Sequence, residues 1–269
     1  MNKKNSIQLL CEKMPYLAVL LAVIVPTILV GIGAAIGEMI SVDAGNIGTC
    51  IAAVILMFIF KFCIFPEFKG FVKAEISAKD ICIIMLPFII YLILTLISPL
   101  FFGKSLYFNP TIKAIIMGLS AGFGEEAMFR IFSLTIVMGY VKKEKRLAVI
   151  ILLAVLFGLI HLGNITQGAD MVMSVVQMVD AIFMALLFTE LYLMTGSVVF
   201  PIFAHGFYDY ICFTTDPSLS DEGILVEQYS KGEIVYALIL GIIVGMVALY
   251  LLSKNKMQKA NELWDRKWQ

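Results

Sequence analysis

At 269 residues the chain is long enough for one or two soluble domains, yet 61% of it is hydrophobic and only 15% charged, with a mean hydropathy of +0.95. A soluble globule carries about 25% charged residues, so too few polar side chains remain here to cover a water-facing surface, and the solvent must be largely lipid. Twenty basic and 20 acidic side chains cancel, and with no net field nothing in the charge argues for a nucleic-acid partner.

The first segment, Met1 to Met14, is polar and mildly basic. It leads into an apolar run from Tyr16 to about Ile36, longer than the core of a signal peptide and without a clear cleavage site, which predicts a first transmembrane helix that is retained. Crossing the hydrocarbon takes roughly 20 apolar residues. Eight segments qualify, at about 15–36, 47–65, 81–102, 110–140, 147–162, 171–194, 198–214 and 233–252. Between them, Gly37 to Gly48 reads as an acidic turn, Asn109-Pro110 places a proline at a helix start, Lys142 to Arg146 is a charged break and Thr195-Gly196-Ser197 a tight hinge. Pro66 to Lys79 alternates basic and apolar residues, as either a short interfacial helix or a charged loop does. The expectation is an all-α integral membrane protein: one polytopic domain over 1–269, a bundle of about eight transmembrane helices.

Eight spans put both termini on one side, and the basic residues say which. With cytoplasmic termini, the inner segments hold Lys3, Lys4, Lys13, Lys61, Lys69, Lys73, Lys79, Lys142, Lys143, Lys145 and Arg146, and the basic tail with Lys254, Lys256, Lys259, Arg266 and Lys267. The outer segments keep Lys104 and Lys231, with Lys113 just inside a helix start, while Glu38, Asp43, Asp216, Asp221, Glu222 and Glu227 all fall outside. That asymmetry follows the positive-inside rule. The five cysteines (Cys11, Cys50, Cys63, Cys82, Cys212) are odd in number and lack metal-ligand spacing, so they read as small apolar residues of membrane helices.

Charges deep in a span need a reason, because each costs on the order of 2.5–3.5 kcal/mol on insertion scales. The fourth segment contains Gly122-Phe123-Gly124-Glu125-Glu126-Ala127-Met128-Phe129-Arg130. Glu126 and Arg130, four apart, share one helical face and can pair; Glu125 is turned about 100° away. One carboxylate is then neutralised while its neighbour faces elsewhere, available for general acid–base work. A purely structural ion-pair cluster would explain Glu126 and Arg130 but not Glu125. Both histidines of the chain also lie in apolar segments. His161 follows Phe157 by one turn, and His205 precedes Asp209 by one turn. Polar groups without water must find one another, so these six side chains converge if the bundle packs helices four, five and seven together.

Glu125-Glu126…Arg130, Phe157…His161 and His205…Asp209 resemble, in order, the E-E-x-x-x-R, F-x-x-x-H and H-x-x-x-(N/D) motifs of the CPBP family, the CAAX-processing and bacteriocin-processing (Abi) membrane proteases. Leu191-Tyr192…Thr195-Gly196-Ser197…Pro201-Ile202 resembles the family's text before its last motif, and the likeness spans about 110–212 as a catalytic core. The resemblance implies an intramembrane endopeptidase of the type II CAAX prenyl endopeptidase kind. Glu125 and His161 would activate a water, Glu126 with Arg130 would hold the fourth helix in register, and His205 with Asp209 would stabilise the oxyanion, commonly the largest catalytic term. Family members often carry Asn where Asp209 stands; an Asp donates only when protonated, and otherwise orients His205 or binds a metal. Glu125, His161 and His205 would together suit zinc, although a metal-free water on glutamate is equally drawable and no H-E-x-x-H helix is present.

Implied partners are membrane lipid and a peptide or lipidated-protein substrate: a CAAX-like prenylated protein or a bacteriocin or other peptide precursor, in a bacterial or archaeal cell membrane. A non-catalytic immunity or regulatory scaffold using the same cavity is the alternative. A proton-coupled transporter is a third, disfavoured by the lack of repeats. Asp180, near mid-span, is expected to face the cavity, and Glu190, near the cytoplasmic end of its span, to be solvated; neither is expected to be catalytic. Counted from their cytoplasmic ends, His205 and His161 lie at depths of roughly 10 Å and 21 Å, a mismatch that tilt or a broken helix must absorb.

Overall fold

Every apolar run of the sequence folds as a helix. The computed structural model describes residues 4–219 and 223–269, with the side chains of 254–256 excepted; Lys3, Asp221 and Glu222 lie outside it, as do the side chains of Lys254 and Lys256. An amino-terminal helix, α1 (Ser6–Lys13), starts in a capping box between Asn5 and Gln8. Then come α2 (Pro15–Glu38) and α3 (Val42–Phe58), the latter extended by a π-helical stretch, Ile59–Ile64. After α4 (Ala78–Phe101), α5 (Ile112–Glu126) passes through a π-helical turn, Ala127–Ile131, into α6 (Phe132–Tyr140). α7 (Lys143–Ile160) ends in a 3-10 turn, His161–Gln167, and α8 (Met171–Thr195), α9 (Val199–Thr215), α10 (Lys231–Leu251) and α11 (Lys254–Trp268) complete the chain. The described residues contain no strand, only an isolated bridge between Leu219 and Leu225.

Six helical segments are long and apolar enough to cross a membrane: Pro15–Glu38, Val42–Ile64, Ala78–Phe101, Lys143–Gln167, Met171–Thr195 and Lys231–Leu251. Their outward faces carry exposed Ile28, Ile36, Phe58, Phe62, Ile83 and Tyr250, a density of bare apolar side chains that a water-facing surface does not sustain. The chain is an all-α, multi-pass membrane protein. The two other expected segments fall short because they carry the charged motifs. The 112–140 run is divided by the π turn at the Glu125–Arg130 stretch, and α9, with His205 and Asp209, is 17 residues long.

Two boundaries differ from expectation, and a third segment takes one of its two expected forms. The acidic turn expected over Gly37–Gly48 is much shorter, because Ser41 caps α3 and Asp43 sits favourably in its first turn. The charged break expected over Lys142–Arg146 is mostly helix, with Lys142 the N-cap residue of α7. The 66–77 segment is irregular rather than an interfacial helix. Its backbone bonds go elsewhere: the Lys69 amide donates to Lys267 O (2.9 Å), the Glu75 amide to Thr195 O (3.0 Å), and Phe71 O accepts from the Val198 amide (2.9 Å).

The hinge at Thr195-Gly196-Ser197 forms as expected. Gly196 sits at φ 70°, the left-handed cap that favours glycine, and its amide closes α8 on Tyr192 O at 2.9 Å. The hinge turns α9 back into the bundle, where it packs along α5, α8 and α4. α5 and α9 meet backbone to backbone at Gly118, Gly122 and Gly206: a Cβ on Gly206 would stand 2.7 Å from Gly118 O, and one on Gly122 2.5 Å from Ile202 O. That close approach brings two motifs distant in sequence to one level. Whatever depth the sequence count assigns them, the two histidines meet on one ring, Phe157.

Candidate active site

The site is built on the Glu126–Arg130 pair. Within the π turn, a winding often found at functional sites, Arg130 grips Glu126 with both prongs: Nε to Oε2 at 2.7 Å and Nη2 to Oε1 at 2.6 Å. Glu126 is fully buried and Arg130 nearly so. The guanidinium lies over the Phe157 ring, 4.2 Å from its centroid, and within 5.4 Å of Phe188. A bidentate pair flanked by aromatic faces is the arrangement in which arginine is best held away from water.

His205 joins the pair through its Nδ1, 2.8 Å from Glu126 Oε1, and its ring stacks on Phe188 at 4.8 Å. Because the carboxylate is the acceptor, Nδ1 carries the proton and Nε2 points onward. Nε2 lies 3.7 Å from Glu125 Oε2 and 3.7 Å from Asp209 Oδ2. Glu125 is the complement of Glu126: 28% exposed where its neighbour is 0%, with an Oε2 that has no hydrogen-bond partner. Two adjacent residues therefore differ as the helical rotation predicts.

His161 caps the end of α7. Its Nδ1 donates to Phe157 O at 3.0 Å, which leaves Nε2 as a free acceptor. The Phe157 ring touches both imidazoles, at centroid distances of 5.0 Å and 6.0 Å. The structure thus brings Glu125, Glu126, Arg130, His205 and Asp209 into direct contact and sets His161 beside them across Phe157. The sequence paired His205 with Asp209; the shorter contact is to Glu126.

Glu125, His161, His205 and Asp209 open on one cavity of about 990 Å³, from which Glu126 and Arg130 are set back. Asp180 lines it too, as expected, and belongs to a cluster that the sequence did not disclose. Tyr91 of α4 donates to Asp180 Oδ2 at 2.9 Å and lies 3.3 Å from the Tyr208 hydroxyl of α9. A second such contact, Asn164 to Gln177 at 3.0 Å, ties the 3-10 turn to α8. The available signal was polar residues inside apolar spans, which applies to Tyr91 and Gln177 as well as to charges.

Glu190 departs from expectation. It is buried at 0% exposure and neither carboxyl oxygen has a hydrogen-bond partner. Its end of α8 is covered by α11: Trp264 Nε1 donates to Leu193 O at 3.0 Å, and Trp264 stacks edge-on with Tyr192.

Both histidines spend Nδ1, on Phe157 O and on Glu126, and leave Nε2 available, as zinc-bound histidines do. Among the described residues, no group of three or more His, Cys, Asp and Glu side chains is disposed to hold a metal ion.

Residues 107–211 match a family model described as type II CAAX prenyl endopeptidase, Rce1-like. The match covers nearly the same stretch as the three motifs and contains every residue of the site. No curated protein and no solved structure matches the chain.

Proposed function

Starting from a chain whose residues 107–211 belong to the type II CAAX prenyl endopeptidase family, we propose that this CAAX-type intramembrane protease hydrolyses a peptide bond of a membrane-presented substrate with a water activated by Glu125 and His161. The observation that carries this is the contrast between adjacent carboxylates: Glu126 is saturated by Arg130 and His205, while Glu125 lines the cavity and its Oε2 accepts no hydrogen bond. A base must be free to take a proton, and Glu125 is the group left free.

In this mechanism the substrate carbonyl enters between Glu125 and His161. Water, bonded to Glu125 and to the open Nε2 of His161, attacks the carbonyl carbon as its proton passes to Glu125. The oxyanion is met by Nε2–H of His205 in its doubly protonated form, with Nδ1–H still on Glu126, and by Asp209 in its protonated form. Glu125 then gives its proton to the departing nitrogen, and the C–N bond breaks. Glu126 and Arg130 touch neither substrate nor water; they fix the ring plane of His205 and the rotation of Glu125. No step here requires a metal.

The 112–140 run and α9 count as spans in this reading, giving eight with both termini cytoplasmic, in accord with the positive-inside asymmetry. The substrate is a prenylated CAAX-like protein or a peptide precursor of the bacteriocin kind. Comparing the membrane peptidomes of cells carrying wild-type or Glu125→Ala protein at equal abundance tests the activity. An uncleaved precursor accumulating with Glu125→Ala is the expected result; identical peptidomes would refute it.

A further inference from the structure

α4 lies outside the matched stretch and carries none of the three motifs, yet it reaches the site. The end of the bundle that holds the carboxyl terminus is sealed: Lys267 donates to Gly70 O and Lys73 O at 3.0 Å and 3.1 Å, and Ser197 Oγ to Val72 O at 2.6 Å. No described residue of 61–79 or 254–269 lines the cavity. In the open half, around the cavity, α4 supplies part of the wall with Tyr91, Thr95 and Leu96.

Most of α4 faces outward, with Ile83, Leu86, Ile90 and Ile93 exposed. Its two buried side chains are Phe88 and Tyr91, three apart on one face. Each stands behind one member of the oxyanion pair. Phe88 packs on Phe188 at a centroid distance of 6.4 Å, and Phe188 stacks on the His205 ring at 4.8 Å. The Tyr91 ring lies 5.6 Å from that of Tyr208, the residue before Asp209. His205 Nε2 and Asp209 Oδ2 are themselves 3.7 Å apart.

Polar bonds fix this contact. The Tyr91 hydroxyl donates to Asp180 Oδ2 at 2.9 Å, so at 3.3 Å it accepts from Tyr208. Asp180 belongs to α8, and its Oδ1 has no hydrogen bond; it faces α10, where a Cβ on Gly241 would stand 2.5 Å away. The carboxyl group is thus a node of α4, α8, α9 and α10. Apolar side chains would join these helices without stranding a buried oxygen. What the directional bonds add is one fixed register for α9.

We propose that α4 braces the oxyanion side of the site, with Tyr91 and Asp180 as positioning residues that hold Asp209 and His205 in line for the tetrahedral intermediate; this rests on the protease reading and deepens it. Both residues line the cavity, so contact with substrate is the competing role, and it would appear in KM.

The test measures kcat and KM for a membrane-presented peptide, and the ring signals of ¹⁵N-histidine-labelled protein, in lipid nanodiscs. The chain holds two histidines, so His161→Gln assigns both. Tyr91→Phe removes one hydroxyl and Asp180→Leu its acceptor; each is expected to lower kcat about tenfold with KM within about twofold. Asp180→Asn keeps an oxygen for Tyr91 and holds kcat within about twofold of wild type. In the first two variants the His205 signals shift, while those of His161, held from its own helix by Phe157 O, stay in place. Unchanged kcat in Tyr91→Phe, a loss confined to KM, or Asp180→Asn as slow as Asp180→Leu overturns the proposal. So do His205 signals that stay in place or move together with those of His161. Absence of cleavage by wild type removes the protease reading instead, and the histidine signals still decide whether α4 braces His205 and Asp209.

Discussion

The sealed and open halves of the bundle handle buried polar groups in opposite ways. In the sealed half, α11 spends donors on backbone carbonyls, Trp264 on Leu193 and Lys267 on Gly70 and Lys73 of the 66–77 segment, as does Arg146 of α7 on Val141. These donors are satisfied, although the neighbouring Trp268 Nε1 is not. In the open half the partners are themselves ionisable side chains, and Glu125 Oε2 and Asp180 Oδ1 are left without a hydrogen bond. In the proposed mechanism, reactivity comes from a missing hydrogen-bond partner rather than from an unusual residue. Glu126 and Glu125 are chemically identical and one residue apart.

Removing the fixed countercharge should have the largest effect on the fold. Arg130→Met leaves Glu126 buried without its bidentate partner, a change that typically costs about 3–5 kcal/mol. Thermal unfolding in detergent should show it; an unchanged midpoint would mean that water, not Arg130, satisfies Glu126. Trp264→Ala attacks the sealed half, and a buried tryptophan lost to a cavity costs about 3 kcal/mol or more. It should also make the 66–77 segment cleavable by added protease, and resistance there would show that α11 is dispensable to the seal.

Glu190 is the exception within the sealed half, a carboxyl group with no partner, and so it sharpens the contrast. Glu190→Leu removes a polar group buried without a hydrogen bond and should stabilise the protein by about 1–3 kcal/mol, read from the same melts. Destabilisation would reveal a partner that Glu190 needs. The smallest effect concerns Lys267. Burial lowers its ammonium from the ordinary value of 10.5, so the unfolded chain binds more protons between the folded and unfolded values. Stability therefore rises with pH across that window and levels off above 10.5. Melting at several alkaline pH values checks this, with the slope lost in Lys267→Met.

Much of the site was legible because lipid makes charges conspicuous. Glu125, Glu126, Arg130, His161, His205 and Asp209 stood out as ionisable residues in apolar runs, and helical rotation alone separated Glu125 from Glu126. The bond of His205 to Glu126 was not legible, since it depends on how closely α5 and α9 approach at Gly118 and Gly206. Tyr91 and Tyr208 were missed because tyrosine raises no alarm in an apolar span. The burial of Glu190 was missed because α11 reads as a basic tail. Its Met257, Ala260 and Trp264, at helical spacing on one face, were the available sign.

The central claim is that Glu125 activates the attacking water. Its most direct test is hydrolysis of a membrane-presented peptide in ¹⁸O-water by wild-type protein and by Glu125→Gln in lipid nanodiscs. The account predicts one ¹⁸O atom in each new carboxyl-terminal carboxylate with wild type, and a rate at least about 10³-fold lower with Glu125→Gln although the protein melts as wild type does. Cleavage by Glu125→Gln at the wild-type rate would contradict it.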